Sequence, residues 1–213
     1  MEFRYLAIEG PIGLGKTTLA RRLGTRLEAS VVEDGRDNPF LADFYAGRPG
    51  AAFQTQLFYT LARHRQLVGL RQGDLFHQTT ICDYLFERDR IYAFLNLDDN
   101  ELFIYQKVFD LVARDLPVPD LVIYLQAPTD LLTRRYRERP RPDDGDDPAG
   151  PAEDYLAELN EAYNHFFFHY SATPLLVVET SEVDPSWGDA ALDDLVRQIG
   201  AHGQGTRYYV PRT

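Results

Sequence analysis

Apolar positions along the chain gather into five short, β-rich runs separated by longer amphipathic stretches. The runs are FRYLAIE (Phe3–Glu9), SVVED (Ser30–Asp34), TTICD (Thr79–Asp83), LVIYLQ (Leu121–Gln126) and PLLVVE (Pro174–Glu179). Several are apolar at successive rather than alternate positions, the pattern of strands covered on both faces. Between them the spacing turns helical. Thr17–Leu27 is one such segment, and Ala51–Gln72 carries Phe53, Leu57 and Leu61 at four-residue intervals. Tyr84–Ala113 divides into two helices near Leu97–Asn100, and Asp130–Arg139, Glu153–Tyr170 and Ala190–Ile199 follow. Strands alternating with helices predict an α/β fold around a parallel sheet. The Pro-, Gly- and Asp-rich stretch RPRPDDGDDPAGPAED (Arg139–Asp154) reads as a mobile loop between two helices. The closing segment HGQGTRYYVPRT reads as a tail of no assigned role.

Composition narrows the class. The chain has 213 residues, 44% of them hydrophobic, which suffices for one sizeable core and predicts a single domain over 1–213. A formal net charge of −11 argues against a broad nucleic-acid surface, since phosphate neutralisation needs clustered Lys and Arg. Cys82 is the single cysteine, so no intrachain disulfide forms, which fits a reducing compartment. No basic region precedes a long apolar segment at the N-terminus, and no run approaches the ~20 apolar residues of a membrane span. The expectation is a cytoplasmic protein without membrane or nucleic-acid partners.

The first strand runs into Gly10-Pro11-Ile12-Gly13-Leu14-Gly15-Lys16-Thr17, followed by Thr18 and a helix. This is G-x-x-x-x-G-K-[ST] in the strand-to-helix context it requires. Glycines let successive backbone N–H groups face phosphate oxygens, and the helix N-terminus adds a positive dipole end. Lys16 is then placed for the β/γ-phosphates and Thr17 for Mg²⁺. The loop predicts a nucleoside triphosphate with Mg²⁺. It does not name the acceptor.

Beyond the loop, NPFLADFY, FQTQLFYTLARHRQL, DYLFERDRIYAF, DLVIYLQA and YNHFFFHY occur in an order that resembles the deoxynucleoside kinase family, most closely its bacterial deoxyadenosine/deoxyguanosine kinase branch. The resemblance implies a P-loop kinase fold with a five-stranded parallel sheet flanked by helices and a lid segment, here about 134–152. It also implies a homodimer, ATP as donor, and transfer to the 5′-hydroxyl of a deoxynucleoside, a purine by the branch.

By this resemblance Glu33, at the end of the second strand, takes the proton of the 5′-hydroxyl; read alone it is a solvated strand-end acid. Gln56 and Arg63, seven apart on one helix face, become the base reader and its support, with Asp89 as acidic partner. On residue type alone they are the polar face of an amphipathic helix. Tyr45 matches a residue reaching the sugar 3′-hydroxyl, and Phe44, Phe58, Phe86 and Tyr92 are candidates to enclose the base, although aromatics at helical spacing are more often core. Asp83, after the third strand, is placed for Mg²⁺. The family commonly has acid-Arg-Ser here, whereas this chain reads Asp83-Tyr84-Leu85. Arg135, Arg139 and Arg141 match lid arginines that clamp the transferring phosphoryl group, with Pro140 where glycine is usual. Asp143 and Asp144 match by position an acid that helps hold the 3′-hydroxyl.

Two alternatives share the loop: a nucleoside monophosphate kinase, and a nucleotide-binding regulatory protein of weakened catalysis, to which the departures at Tyr84 and Pro140 point. His165 and His169 are four apart but lack the H-E-x-x-H arrangement and a third ligand, so they read as packing or surface residues. Cys82 reads as an apolar strand residue.

Overall fold

In the computed structural model, residues 3–35, 37–70, 78–138, 151–183 and 186–211 are described. Each predicted run forms a strand: β1 (Tyr5–Glu9), β2 (Ser30–Val32), β3 (Thr80–Cys82), β4 (Leu121–Gln126) and β5 (Leu175–Glu179). Their order across the sheet is β2-β3-β1-β4-β5, every pairing parallel. The sheet has a sixth member where five strands were expected. Strand β6 (Thr206–Tyr209) lies within the presumed tail and pairs parallel with β5, from Leu175↔Thr206 to Val178↔Tyr209. Tyr209 is the physical reason. Its ring is buried in the core, and its hydroxyl donates to Asp194 on the preceding helix, fixing which face of β6 turns inward.

The helices follow the predicted order. They are α1 (Lys16–Leu27), α2 (Leu41–Tyr45), α3 (Ala51–Leu70), α4 (Asp89–Asn96), α5 (Asp99–Ala113), α6 (Thr129–Glu138), α7 (Glu153–Phe168) and α8 (Asp189–Gly200). The short α2 was not expected. The break between α4 and α5 is set by a capping box, in which Asp98 accepts the N–H groups of Asn100 and Glu101 while Glu101 returns to the Asp98 N–H.

Alternate residues of each buried strand feed two cores, one per face. Leu6, Ile8, Ile123, Leu125, Leu176 and Val178 pack with α1, α8 and Trp187. Tyr5, Ala7, Val122, Tyr124, Leu175 and Val177 pack with an aromatic layer of Tyr105, Phe109, Tyr163 and Phe167 from α5 and α7. This two-sided burial explains why the strands read as continuous apolar runs. Because the strands are parallel, their C-terminal ends share one edge. Strands β2 and β3 stop short of their predicted limits, so Glu33, Asp34 and Asp83 stand just beyond them on that edge, where open α/β sheets place their ligands.

Candidate active site

The phosphate loop is built by backbone constraint. Gly10 has φ +152°, and a Cβ there would lie 2.6 Å from the carbonyl oxygen of Leu125. Gly15, at φ 77°, precedes α1 and offers no side-chain cap, so the first N–H groups of α1 stay available to an anion. Lys16 folds back on its own loop, donating to the carbonyls of Gly10 (2.7 Å) and Pro11 (3.0 Å). Burial draws its pKa down from the ordinary lysine value, and nearby Arg88 adds to the fall against the opposing pull of Glu9, Asp83 and Asp34. A triphosphate would replace those carbonyls and favour the charged form. Thr17 Oγ1 donates to Asp83 Oδ2 at 2.5 Å, joining the start of α1 to the end of β3.

Facing the loop is an alternating chain of buried charge. Arg63, on α3, reaches Asp34 through Nε and Nη2, both at 2.8 Å, and Asp89 through Nη1. Arg88, at the end of the 3₁₀ turn Phe86–Arg88, donates through Nη2 to Asp34, and its Nη1 lies 3.6 Å from Glu9 Oε1. The order is Glu9–Arg88–Asp34–Arg63–Asp89. Burial alone would raise the pKa of Asp34, but Arg88 and Arg63 outweigh it and hold the carboxyl well below the usual range. Asp89 is shifted the other way, burial raising its pKa against the pull of the same arginines. Glu9 is fully buried, accepting from the N–H groups of Gly10 and Leu85 (both 2.8 Å) and from the Tyr163 hydroxyl (3.2 Å).

Of these groups, Lys16, Thr17, Asp34, Arg63, Asp83 and Arg88 line one cleft of about 1660 Å³. One end holds Gly13, Gly15, Lys16, Thr17 and Thr18 with Arg134, Arg135 and Ser181–Val183. The other holds Phe44, Tyr45, Gln56, Arg63, Tyr59 and Tyr92. The volume exceeds the ~300–1,000 Å³ of a pocket for one small ligand.

The sequence-predicted residues are placed unevenly. Lys16, Thr17, Asp83, Gln56, Arg63, Phe44, Tyr45 and Tyr92 converge on the cleft, and the Arg63–Asp89 pair forms. Gln56 donates one amide N–H to the carbonyl of Asp89 at 3.1 Å. Phe86 instead stacks on Phe109 at 5.0 Å inside the aromatic core, and Phe58 packs against Phe40. Glu33 turns to the side of α1, where Arg21 grips both its oxygens at 2.5 and 2.7 Å; its neighbour Asp34 is the acid that lines the cleft. Arg135 lines the cleft with its guanidinium on the carbonyls of Thr180 (2.9 Å) and Val183 (2.5 Å). Arg139, Pro140, Arg141, Asp143 and Asp144 lie outside the described residues. The sequence reading did not single out Glu9, Asp34, Arg88 or the 180–183 loop. The acid that ends β1 and the arginine beside Asp89 were the signals open to it.

The family model described as deoxynucleoside kinase matches residues 6–202. The chain belongs to the deoxynucleoside kinase family. It is therefore a nucleotide-binding enzyme that phosphorylates deoxynucleosides. It is 35% identical over 144 residues to a deoxyguanosine kinase of Bacillus subtilis, covering 65% of this chain and 68% of that one. It is 30% identical over 214 residues to a deoxyadenosine kinase of Dictyostelium discoideum, covering 98% of this chain and 82% of that one. Among solved structures, deoxyadenosine kinase from M. mycoides with bound dATP superposes at a TM-score of 0.76 and 23% identity, covering 93% of this kinase and all of that chain, a likeness of fold. No helix among the described residues is long and apolar enough to cross a membrane.

Proposed function

We propose that this kinase transfers the γ-phosphoryl group of Mg²⁺-bound ATP to the 5′-hydroxyl of a purine deoxynucleoside, as a salvage step, and that it works as a homodimer. The observation that carries the reading is the continuous cleft joining the phosphate loop to Gln56 and Arg63. The purine assignment is supported by the relatives named for deoxyguanosine and deoxyadenosine.

Thr17 and Asp83 fit a hard cation: a hydroxyl and a carboxylate already meet at the loop. Among the described residues no three carboxylate, His or Cys groups cluster, so phosphate oxygens and water would complete the shell. When bound, Mg²⁺ would neutralise charge on the β- and γ-phosphates. Lys16 leaves the carbonyls of Gly10 and Pro11 for the same phosphates. Arg135, with Arg139 and Arg141 from the lid, clamps the transferring group. Tyr45 holds the sugar, Asp144 helps to hold the 3′-hydroxyl, and Gln56, on the wall of the cleft, reads the base edge.

Of the three acids at this edge, Glu33 is our proton acceptor. Asp34 is held ionised by two arginines, which makes it a poor base, and Asp83 accepts from Thr17 and from the Asp34 N–H. Glu33 is engaged by Arg21 with its side chain 37% exposed. Screening by solvent weakens an exposed pair of this kind, so the contact with Arg21 does not lock the carboxylate in place.

The test is ADP release from Mg²⁺-ATP with each of the four natural deoxynucleosides, and with dAMP as control. Turnover with deoxyadenosine or deoxyguanosine is the expected result. Turnover with dAMP alone would move the acceptor to a nucleoside monophosphate.

A further inference from the structure

Arg88 has a donor that the folded protein leaves unused. Its side chain is 8% exposed and lines the cleft that also holds the phosphate loop, Gln56 and Arg63. Nη2 is spent on Asp34, and Nη1 faces Glu9. Its Nε–H is buried and finds no partner among the described residues. A buried donor left unpaired costs about 1–3 kcal/mol, a cost that a ligand oxygen would remove.

Satisfying the hydrogen bonds of the two acids does not by itself require this arginine. Asp34 already has a two-pronged contact with Arg63. Glu9 already accepts from two backbone N–H groups and a tyrosine hydroxyl. Both acids instead hold the guanidinium still before any ligand arrives, and the Tyr92 ring lies 5.8 Å from it. A fixed, desolvated cation within electrostatic reach of Lys16 suits the developing charge of phosphoryl transfer. The residue directly after Asp83 supplies no such group. Tyr84 is fully buried in the aromatic core, with its hydroxyl on Gln66 at 3.1 Å.

Resting on the kinase reading above, we propose that Arg88 is a catalytic residue whose free N–H donates to the oxygens around the transferring phosphorus. In that step a bond forms between O5′ and Pγ. The bond from Pγ to the β,γ-bridging oxygen breaks, and its electron pair leaves with ADP. The hydroxyl proton passes to Glu33. Arg88 gains a full hydrogen bond as negative charge spreads over the group in flight.

The experiment compares wild type, Arg88→Lys and Arg88→Ala for ADP release with a deoxynucleoside, recording kcat, both KM values and the melting curve. The lysine keeps the charge for Asp34 and Glu9 but loses the planar fork. The expected result is a fall in kcat of about 100-fold or more in both variants, with KM within about threefold. Methylguanidine should restore part of the turnover of Arg88→Ala, and methylammonium should not. Wild-type silence would remove the kinase reading and this proposal with it. With an active wild type, three results would overturn the proposal alone. They are an Arg88→Lys kcat within about threefold of wild type, a change confined to KM, or loss of cooperative melting in both variants.

Discussion

Glu33 and Asp34 are adjacent acids at the end of one strand, and the fold gives them opposite surroundings. Asp34 turns inward to Arg63 and Arg88, while Glu33 turns outward to Arg21. Which of two neighbouring carboxylates enters a cleft depends on the backbone angle at the strand end, so composition and spacing could not decide it. Arg63 and Asp89 were legible because the family resemblance fixes both. Arg88 was not, since a charged residue beside a helix start ordinarily faces water, and its burial follows from the 3₁₀ turn that precedes α4. Two predictions belong at this scale. Glu33→Gln should lower kcat by about 100-fold or more with deoxynucleoside KM little changed, measured by steady-state kinetics; full activity would remove Glu33 as the base. Asp34 has a folded pKa below its unfolded value of about 4, so its stabilising effect is complete above that pH and fades as pH falls toward the folded value. The stability gap between wild type and Asp34→Asn, from urea melts, should therefore be widest near neutrality and shrink below about pH 4. A gap that does not change with pH would contradict the ion-pair account.

At the scale of elements, the glycine turn from β1 into α1 was legible because it is contiguous: the glycines, Lys16 and Thr17 stand together in sequence and in the fold. Strand β6 was not legible. The strand is only four residues long and follows a glycine-rich turn, and its pairing with β5 comes from α8 packing back on the sheet. The alternation at Tyr208 and Tyr209, one exposed and one buried, was the available sign. Helix α2 escaped for a related reason, since it spans five residues with no buried position and carries no periodic apolar face. If β6 is part of the core and stands apart from the cleft, Tyr209→Ala should destabilise the protein by about 3 kcal/mol and leave both KM values unchanged. Denaturant titration beside the kinetic assay checks both halves of that expectation. A stability change within ~0.5 kcal/mol would mean that the strand is dispensable.

At the scale of the whole molecule, the cleft divides the chain by role. On the proposed function, the phosphate loop, α6 and the 180–183 loop make the donor side, and α2, α3 and α4 make the acceptor side. Helices α4 and α5 also leave large apolar side chains in solvent: Phe94 on α4 is 73% exposed, and Phe103 on α5 is 62% exposed, with Ile104 and Leu111 exposed on the same helix. Such positions suit a subunit contact. Sedimentation should find a dimer, and Phe103→Glu should shift it toward monomer; a monomeric wild type would contradict the homodimer. The central claim is transfer to a 5′-hydroxyl, and one measurement reaches it directly. ADP and nucleotide products are quantified with Mg²⁺-ATP and either deoxyadenosine or 2′,5′-dideoxyadenosine, with the deoxyguanosine pair run in parallel. The account predicts equal amounts of ADP and 5′-monophosphate from at least one deoxynucleoside, and no ADP above background when its 5′-hydroxyl is missing. Equal ADP release with and without that hydroxyl, or none with any of them, would contradict it.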